Sequence, residues 1–163
     1  LISATADGSQ RKPVTVERVV EELLEKWNLV RPEVHLEAEV DRAALHRVLS
    51  VDQSLHHALL SFLHNAADAS PRDVHLTGRP DGAEVLIVVE DRGPGIPPEV
   101  ADLLGRRYVS RKEGGLGLGV LLSSGSIERL DGDVTLLRRR GGGTRLEIRL
   151  PAQSAAGKRG SFA

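Results

Sequence analysis

Apolar residues return every three or four positions early in the chain: Val16, Val19, Val20, Leu23, Leu24 and Trp27. That spacing draws one stripe down an α-helix beginning near Thr15 and predicts a single buried face. Residues 34–40 follow a different period, with Val34, Leu36, Ala38 and Val40 alternating with His35, Glu37 and Glu39. This is the pattern of a strand with one wet side. Leu55, Leu59, Phe62, Leu63 and Ala66 restore the helical spacing over 52–69, until Pro71 stops it.

Segments 74–79 and 84–90 flank Arg79-Pro80-Asp81-Gly82, whose turn formers predict a hairpin. Positions 85–89 are all apolar, so this strand belongs in the centre of a sheet. A short helix is expected over 98–104, followed by a basic, glycine-containing segment, 105–115, without a period, which reads as a mobile loop. A helix starting near Leu118 would turn Leu121, Leu122, Ile127 and Leu130 to the core. Strands at 134–139 and 145–150, joined across Gly141-Gly142-Gly143, complete a second hairpin.

These elements predict an α+β fold: a two-layer α/β sandwich, with a mixed, mostly antiparallel sheet of about five strands covered on one face by three main helices. Residues 1–13 are expected to form a linker, 14–151 the folded domain and 152–163 a disordered tail.

At 163 residues and 40% hydrophobic content the chain suits one core. Its 22 Lys and Arg against 23 Asp and Glu create no broad basic field, so no nucleic-acid or membrane contact is expected and any phosphate binding must be local. Without Cys there is no disulfide framework and no thiolate zinc site. No apolar run approaches a bilayer span, which fits a cytoplasmic domain. The chain opens at Leu1 and contains no Met, as expected of a piece of a longer protein.

Four features then fall at element junctions in series: Asn65 on a helix, Asp91-Arg92-Gly93-Pro94-Gly95 after a strand, Gly115-Leu116-Gly117-Leu118-Gly119 before a helix, and Gly142-Gly143-Thr144 between strands. No P-loop and no G-x-G-x-x-G can be read. Gly117 and Gly119 would let backbone N–H groups approach an anion at the start of the Leu118 helix; the alternative is a plain connector. Asp91 ends the most apolar strand, where an unpaired carboxylate is costly, and an adenine amine would be a fitting partner. Capping the turn before Pro94 is the simpler role. Asn65, with Ser61 four residues before and Asp68 three after, offers an amide oxygen to a hard cation such as Mg²⁺ held jointly with triphosphate, or else bonds a neighbouring loop. His56, His57 and His64 read as surface or supporting groups.

The series resembles the ATPase fold shared by gyrase, heat-shock chaperones, histidine kinases and mismatch-repair ATPases, over roughly residues 15–151. Residues 63–70 look like its asparagine box, 91–95 its first glycine box, 115–119 its second and 142–144 its third. Tyr108-Val109-Ser110-Arg111-Lys112 sits where such kinases have a phenylalanine box. The stretch is also similar to redox-responsive sensor kinases of the RegB/PrrB type, whose sensing cysteine would lie upstream. The resemblance implies a Bergerat-type fold binding ATP and Mg²⁺. Nucleotide contacts would come from Asn65, Asp68, Asp91, Gly93, Gly95, Ile96, Tyr108, Arg111, Lys112, Gly115, Gly117, Leu118, Gly119 and Thr144. Asn65 would be the metal ligand, and Asn65 and Lys112 the catalytic groups.

Hydrolytic members of the fold carry a Glu general base where this chain has Ser61, which disfavours hydrolysis. None of the six histidines has the context of a phosphoacceptor. The resemblance therefore implies the catalytic domain of a sensor histidine kinase, transferring the γ-phosphoryl to a histidine on a separate dimerisation hairpin and serving a response regulator indirectly. Arg106, Arg107, Arg111 and Lys112 are the candidate lid cations, or else a solvated basic loop. A serine kinase of the anti-sigma-factor type and a nucleotide-gated interaction module are the alternatives. The full-length protein would be cytoplasmic or anchored in the inner membrane.

Overall fold

The computed structural model describes residues 10–94 and 118–154, with the backbone alone at 118–122. In chain order the elements are β1 (Lys12–Thr15), α1 (Val16–Val30), β2 (Leu36–Val40), α2 (Arg42–Leu45), β3 (Val48–Val51), α3 (Gln53–Ala69), β4 (Val74–Asp81), β5 (Glu84–Asp91), α4 (Leu118–Arg129), β6 (Asp133–Arg138) and β7 (Thr144–Gln153). The strands form one sheet in the order β1-β3-β7-β5-β4-β2, with β6 also paired to β7. Only β2 and β4 run parallel; every other pairing is antiparallel.

Local signals set the helix ends. Thr15 Oγ1 accepts the Arg18 N–H at the start of α1, and Asp52 Oδ1 accepts the Ser54 N–H at the start of α3. The stripe on α1 buries Val16, Val19, Leu23 and Trp27, while α3 buries Leu55, Leu59, Phe62, Leu63 and Ala66. Both stripes join Val85, Ile87, Val89, Leu146, Ile148 and Leu150 from the helix-facing side of the sheet in one core, which also takes Ile127 and Leu130 from the end of α4.

β5 lies between β4 and β7, as its unbroken apolar run requires. Leu86 and Val88 point away from the helices and are nonetheless buried. Leu86 is flanked in register by Arg79 and Arg149, and Val88 by Thr77 and Glu147. Around them Arg149 pairs with Asp81 and Glu147, and Arg145 with Glu147 and Glu90. Partly exposed pairs of this kind contribute about 0–1 kcal/mol each. Their aliphatic stems also roof the apolar middle of the sheet.

Three features depart from the sequence expectation. Among the described residues the sheet has seven strands, because β1 and β3 are four-residue strands too short for an alternating pattern to register. The first hairpin turns two residues later, at Gly82-Ala83, since Asp81 pairs with Glu84. Pro80 then falls opposite Val85 at a non-hydrogen-bonded position, beyond the end of the β2 pairing, where its missing N–H goes unneeded. Finally, β7 continues past Pro151 to Gln153, because Leu49 and Val48 pair with Ala152 and Gln153. The expected helix over 98–104 and loop over 105–115 lie outside the described residues.

His56 lies against α1 with 12% of its side chain exposed, so it belongs to the interior of the helix layer more than to the surface. Its Nε2 is buried without a hydrogen bond, 3.3 Å from a Glu22 oxygen. Burial and then Lys26 hold the imidazole below its ordinary range, against the opposing pull of Glu22. The folded chain thus binds this proton less readily than the unfolded chain, so the stability is whole above the ordinary histidine range, near pH 6.5, and lost as the pH falls below it. Glu22, held low by its hydrogen bond from Arg18, adds a loss of the same sign at lower pH. The urea midpoint is expected to fall between pH 7.5 and pH 5.5, and His56→Leu to flatten that slope; equal slopes in both proteins would contradict the assignment.

Candidate functional site

The site grows from the end of β5. Asp91 is buried at 6% exposure, and its Oδ1 accepts the Gly93 N–H at 2.9 Å. Burial pushes its carboxyl pKa up; the backbone N–H groups of Gly93 and Thr144 and the charge of Arg139 oppose that shift. Donation from the Gly93 N–H, with the Thr144 N–H nearby, does not fill the four lone-pair directions of a carboxylate, and burial limits its access to water, so the group retains capacity to accept from a ligand.

Two other segments close on it. The turn after β5 packs against α3, where a Cβ on Gly93 would stand 2.8 Å from both the Cβ and the carbonyl oxygen of Ala69. The β6–β7 turn packs against Asp91 itself, where a Cβ on Gly143 would stand 1.9 Å from the Asp91 carbonyl oxygen. Gly141, Gly142 and Gly143 all have positive φ, 91°, 112° and 97°. Thr144, next in line, is the register partner of Asp91. Glycine is thus required at 143 by both conformation and space.

Asn65 is on α3, one turn before Ala69, so it lies about 6 Å along the helix axis from the contact with Gly93. Its Nδ2 is buried and has no hydrogen-bond partner among the described residues. A buried amide with unspent capacity fits a polar ligand at this end of α3. Among the described residues no group of three or more His, Cys, Asp or Glu could hold a metal ion. A cation here would need oxygens from its ligand beside Asn65.

The structure therefore joins Asp91, Gly93 and Thr144 and sets Asn65 one turn from them. Asp68 is drawn instead to Arg31, whose Nη1 lies 3.3 Å from its Oδ1. Leu118 and Gly119 open α4, which packs along α3. Gly95, Ile96, Tyr108, Arg106, Arg107, Arg111, Lys112, Gly115 and Gly117 lie outside the described residues. Sequence reasoning missed Arg139, which donates to the Gly142 carbonyl at 3.1 Å and stands 3.9 Å from Glu90. Its place just before the glycine triplet was the available signal.

Gly143→Ala is expected to lower the unfolding free energy by about 3 kcal/mol or more, combining a disfavoured φ with a clash against backbone. Urea unfolding measures it. A midpoint close to the unaltered chain would mean that the turn does not pack on Asp91.

The chain is similar to known proteins over most of its length. The sensor-like histidine kinase SenX3 of Mycobacterium tuberculosis is 31% identical over 157 residues, covering 89% of this chain and 38% of that protein. The signal transduction histidine-protein kinase/phosphatase MprB of Mycolicibacterium paratuberculosis is 31% identical over 173 residues, covering 94% of this chain and 32% of that protein. The chain thus spans well under half the length of these curated relatives. The solved structure of a mycobacterial sensor histidine kinase MprB superimposes with a TM-score of 0.67 at 26% identity, covering 88% of this chain and 99% of that one. The catalytic domain of histidine kinase ThkA has the same fold, with a TM-score of 0.70 at 19% identity over 88% of this chain and 96% of that one. Residues 50–154, which carry Asn65, Asp91, Gly93 and Thr144, match the family of histidine kinase-, DNA gyrase B- and HSP90-like ATPases, and the chain belongs to that family.

Proposed function

We propose that this chain is the ATP-binding catalytic unit of a sensor histidine kinase, and that it transfers the γ-phosphoryl group of ATP to a histidine on a dimerisation hairpin elsewhere in the full-length protein. The observation that carries the reading is the buried Asp91 carboxylate, boxed between the end of α3 and the Gly143 turn, with acceptor capacity left over. Similarity to SenX3 and MprB supports the choice of kinase among the activities of the family.

In this reading Asp91 accepts the exocyclic amine of adenine, and the glycine contacts on either side hold the carboxylate in place for it. Asn65 would hold Mg²⁺ together with phosphate oxygens, and the ion would offset their charge during transfer. Thr144, which pairs with Asp91 across β5 and β7, would contact the nucleotide beside it. Ser61 occupies the place of a general base and, lacking one, leaves water unactivated. The attacking imidazole must then come from the hairpin, because no histidine of this chain has an acceptor context. Gly95, Ile96, Tyr108, Arg111, Lys112, Gly115, Gly117, Leu118 and Gly119 remain proposed nucleotide contacts, with Lys112 as the proposed charge-neutralising group, while the Asp68 carboxylate, engaged by Arg31, is proposed to stay off the phosphates. Residues before β1 would link this unit to the hairpin. A response regulator would then be served indirectly, in the cytoplasm where ATP is available; among the described residues no helix is long and apolar enough to cross a membrane.

Asp91→Asn is expected to weaken ADP binding by about tenfold or more, since its amide presents a donor where the adenine amine already donates, a mismatch of about 1–3 kcal/mol. The same change removes a buried charge, so the unliganded variant should melt no lower than the unaltered chain. Calorimetry and thermal melts together decide it: an affinity within twofold of the unaltered chain sinks the adenine assignment.

Transfer itself is checked by mixing the chain with Mg²⁺, ATP and the hairpin encoded with it. Acid-labile phosphohistidine should appear on the hairpin, with little phosphate released when the chain is alone. Rapid steady-state phosphate release without a partner would move the chain to the hydrolytic branch of the family.

A further inference from the structure

Five side chains meet where the end of α1 reaches α3. Trp27 is fully buried, and its ring centroid lies 5.0 Å from that of His64, tilted by 52°. Arg31, which caps α1, stands 5.8 Å over the Trp27 ring. Its guanidinium reaches Glu33 at 2.9 Å, His64 Nδ1 at 3.2 Å and Asp68 Oδ1 at 3.3 Å. A guanidinium only donates, so His64 Nδ1 accepts and the ring proton sits on Nε2. With 23% of its side chain exposed, Arg31 is enclosed enough for this fork to hold one geometry.

The placement of Asp68 gives the cluster its meaning. Residues three apart on an α-helix differ by about 60° around the axis, so Asp68 stands on the shoulder of the face that carries Asn65. Asp68 itself is 70% exposed. Left alone, its carboxylate could swing toward whatever Asn65 holds, and a negative charge there would oppose a phosphate chain. Burial cannot silence an exposed carboxylate, so a fixed cation has to.

We propose that Arg31 is a positioning residue for the phosphate end of the site: by engaging Asp68 it keeps an opposing negative charge off the Asn65 face of α3. The proposal rests on the nucleotide reading above and concerns phosphate discrimination, not the adenine contact. His64, wedged between Trp27 and Arg31, sets the height at which Arg31 meets the last turn of α3. Arg31 touches no ligand in this arrangement; it acts through Asp68.

The test compares Mg-ATP, which carries the phosphates, with adenosine, which does not, by calorimetry and NMR titration. Arg31→Met should weaken ATP by about fivefold or more while adenosine affinity stays within twofold, because only the phosphates feel the released charge. Arg31→Lys, keeping the charge, should retain most of the ATP affinity. Adding Asp68→Asn to Arg31→Met should restore ATP binding to within about twofold of the unaltered chain, since the charge that needed holding is gone. A purely structural role would weaken both ligands together and would not be rescued at position 68, and either result overturns the proposal, as does an Arg31→Met protein that binds ATP normally. If Arg31→Met does not fold, the same comparison is made with Arg31→Gln. Binding of neither ATP nor adenosine by the unaltered chain would overturn the nucleotide reading itself, and this proposal with it.

Discussion

A carboxylate buried at the end of the central strand is the constraint on which this structure turns. Asp91 lies where β5 leaves the core, and burial raises the cost of its charge. Among the described residues the answer is backbone, not a counter-ion at contact distance: N–H groups of Gly93 and Thr144 point at it, and Arg139 acts from further off. Backbone donors can converge this closely only if both flanking segments approach without side chains. That is the physical reason for Gly93 against Ala69 and Gly143 against the Asp91 carbonyl. A partly solvated site costs the unliganded fold some stability, and an acceptor left over for a ligand is what that cost secures.

Periodicity made most of the architecture legible. α1, α3 and β5 announce themselves because each runs long enough for its stripe or apolar run to repeat, and the core they form is the one the pattern implies. β1 and β3 were not legible, since four residues give at most two repeats of a two-residue period, and both strands are fixed by pairing with a strand remote in sequence. The turn of the first hairpin was misplaced because Pro80 looks like a turn residue. In the fold it sits where no ladder hydrogen bond is asked of it, a fact set by the short reach of β2.

The candidate site was legible to the extent that its chemistry is local. Asp91 with Gly93 and the glycine triplet before Thr144 are short sequence signals, and their packing together needed only the antiparallel pairing of β5 with β7. Asp68 was a different matter. Its position three residues after Asn65 makes it look like a site residue, but its partner Arg31 lies 37 positions earlier, at the end of another helix. No spacing rule connects a helix cap to a side chain on a neighbouring helix. Arg139 was equally hidden, because a run of arginines beside glycines looks the same whether it is solvated or folded back on its own turn.

What ties the two ends of the site together is the last turn of α3. Ala69 receives the Gly93 turn on one side, and Asp68, its neighbour in sequence, receives Arg31 on another. Asn65 and His64 lie one turn earlier, with the His64 ring packed at a tilt against Trp27. The helix is therefore held against rotation by three contacts within two turns, from β5, from the α1 cap and from the α1 core face. Rotating α3 enough to redirect Asn65 would break a close backbone contact at Gly93 or release a guanidinium from two of its three acceptors. A side chain that must meet a cation and phosphate oxygens in fixed geometry benefits from such restraint, because little ordering is left to be done when the ligand arrives.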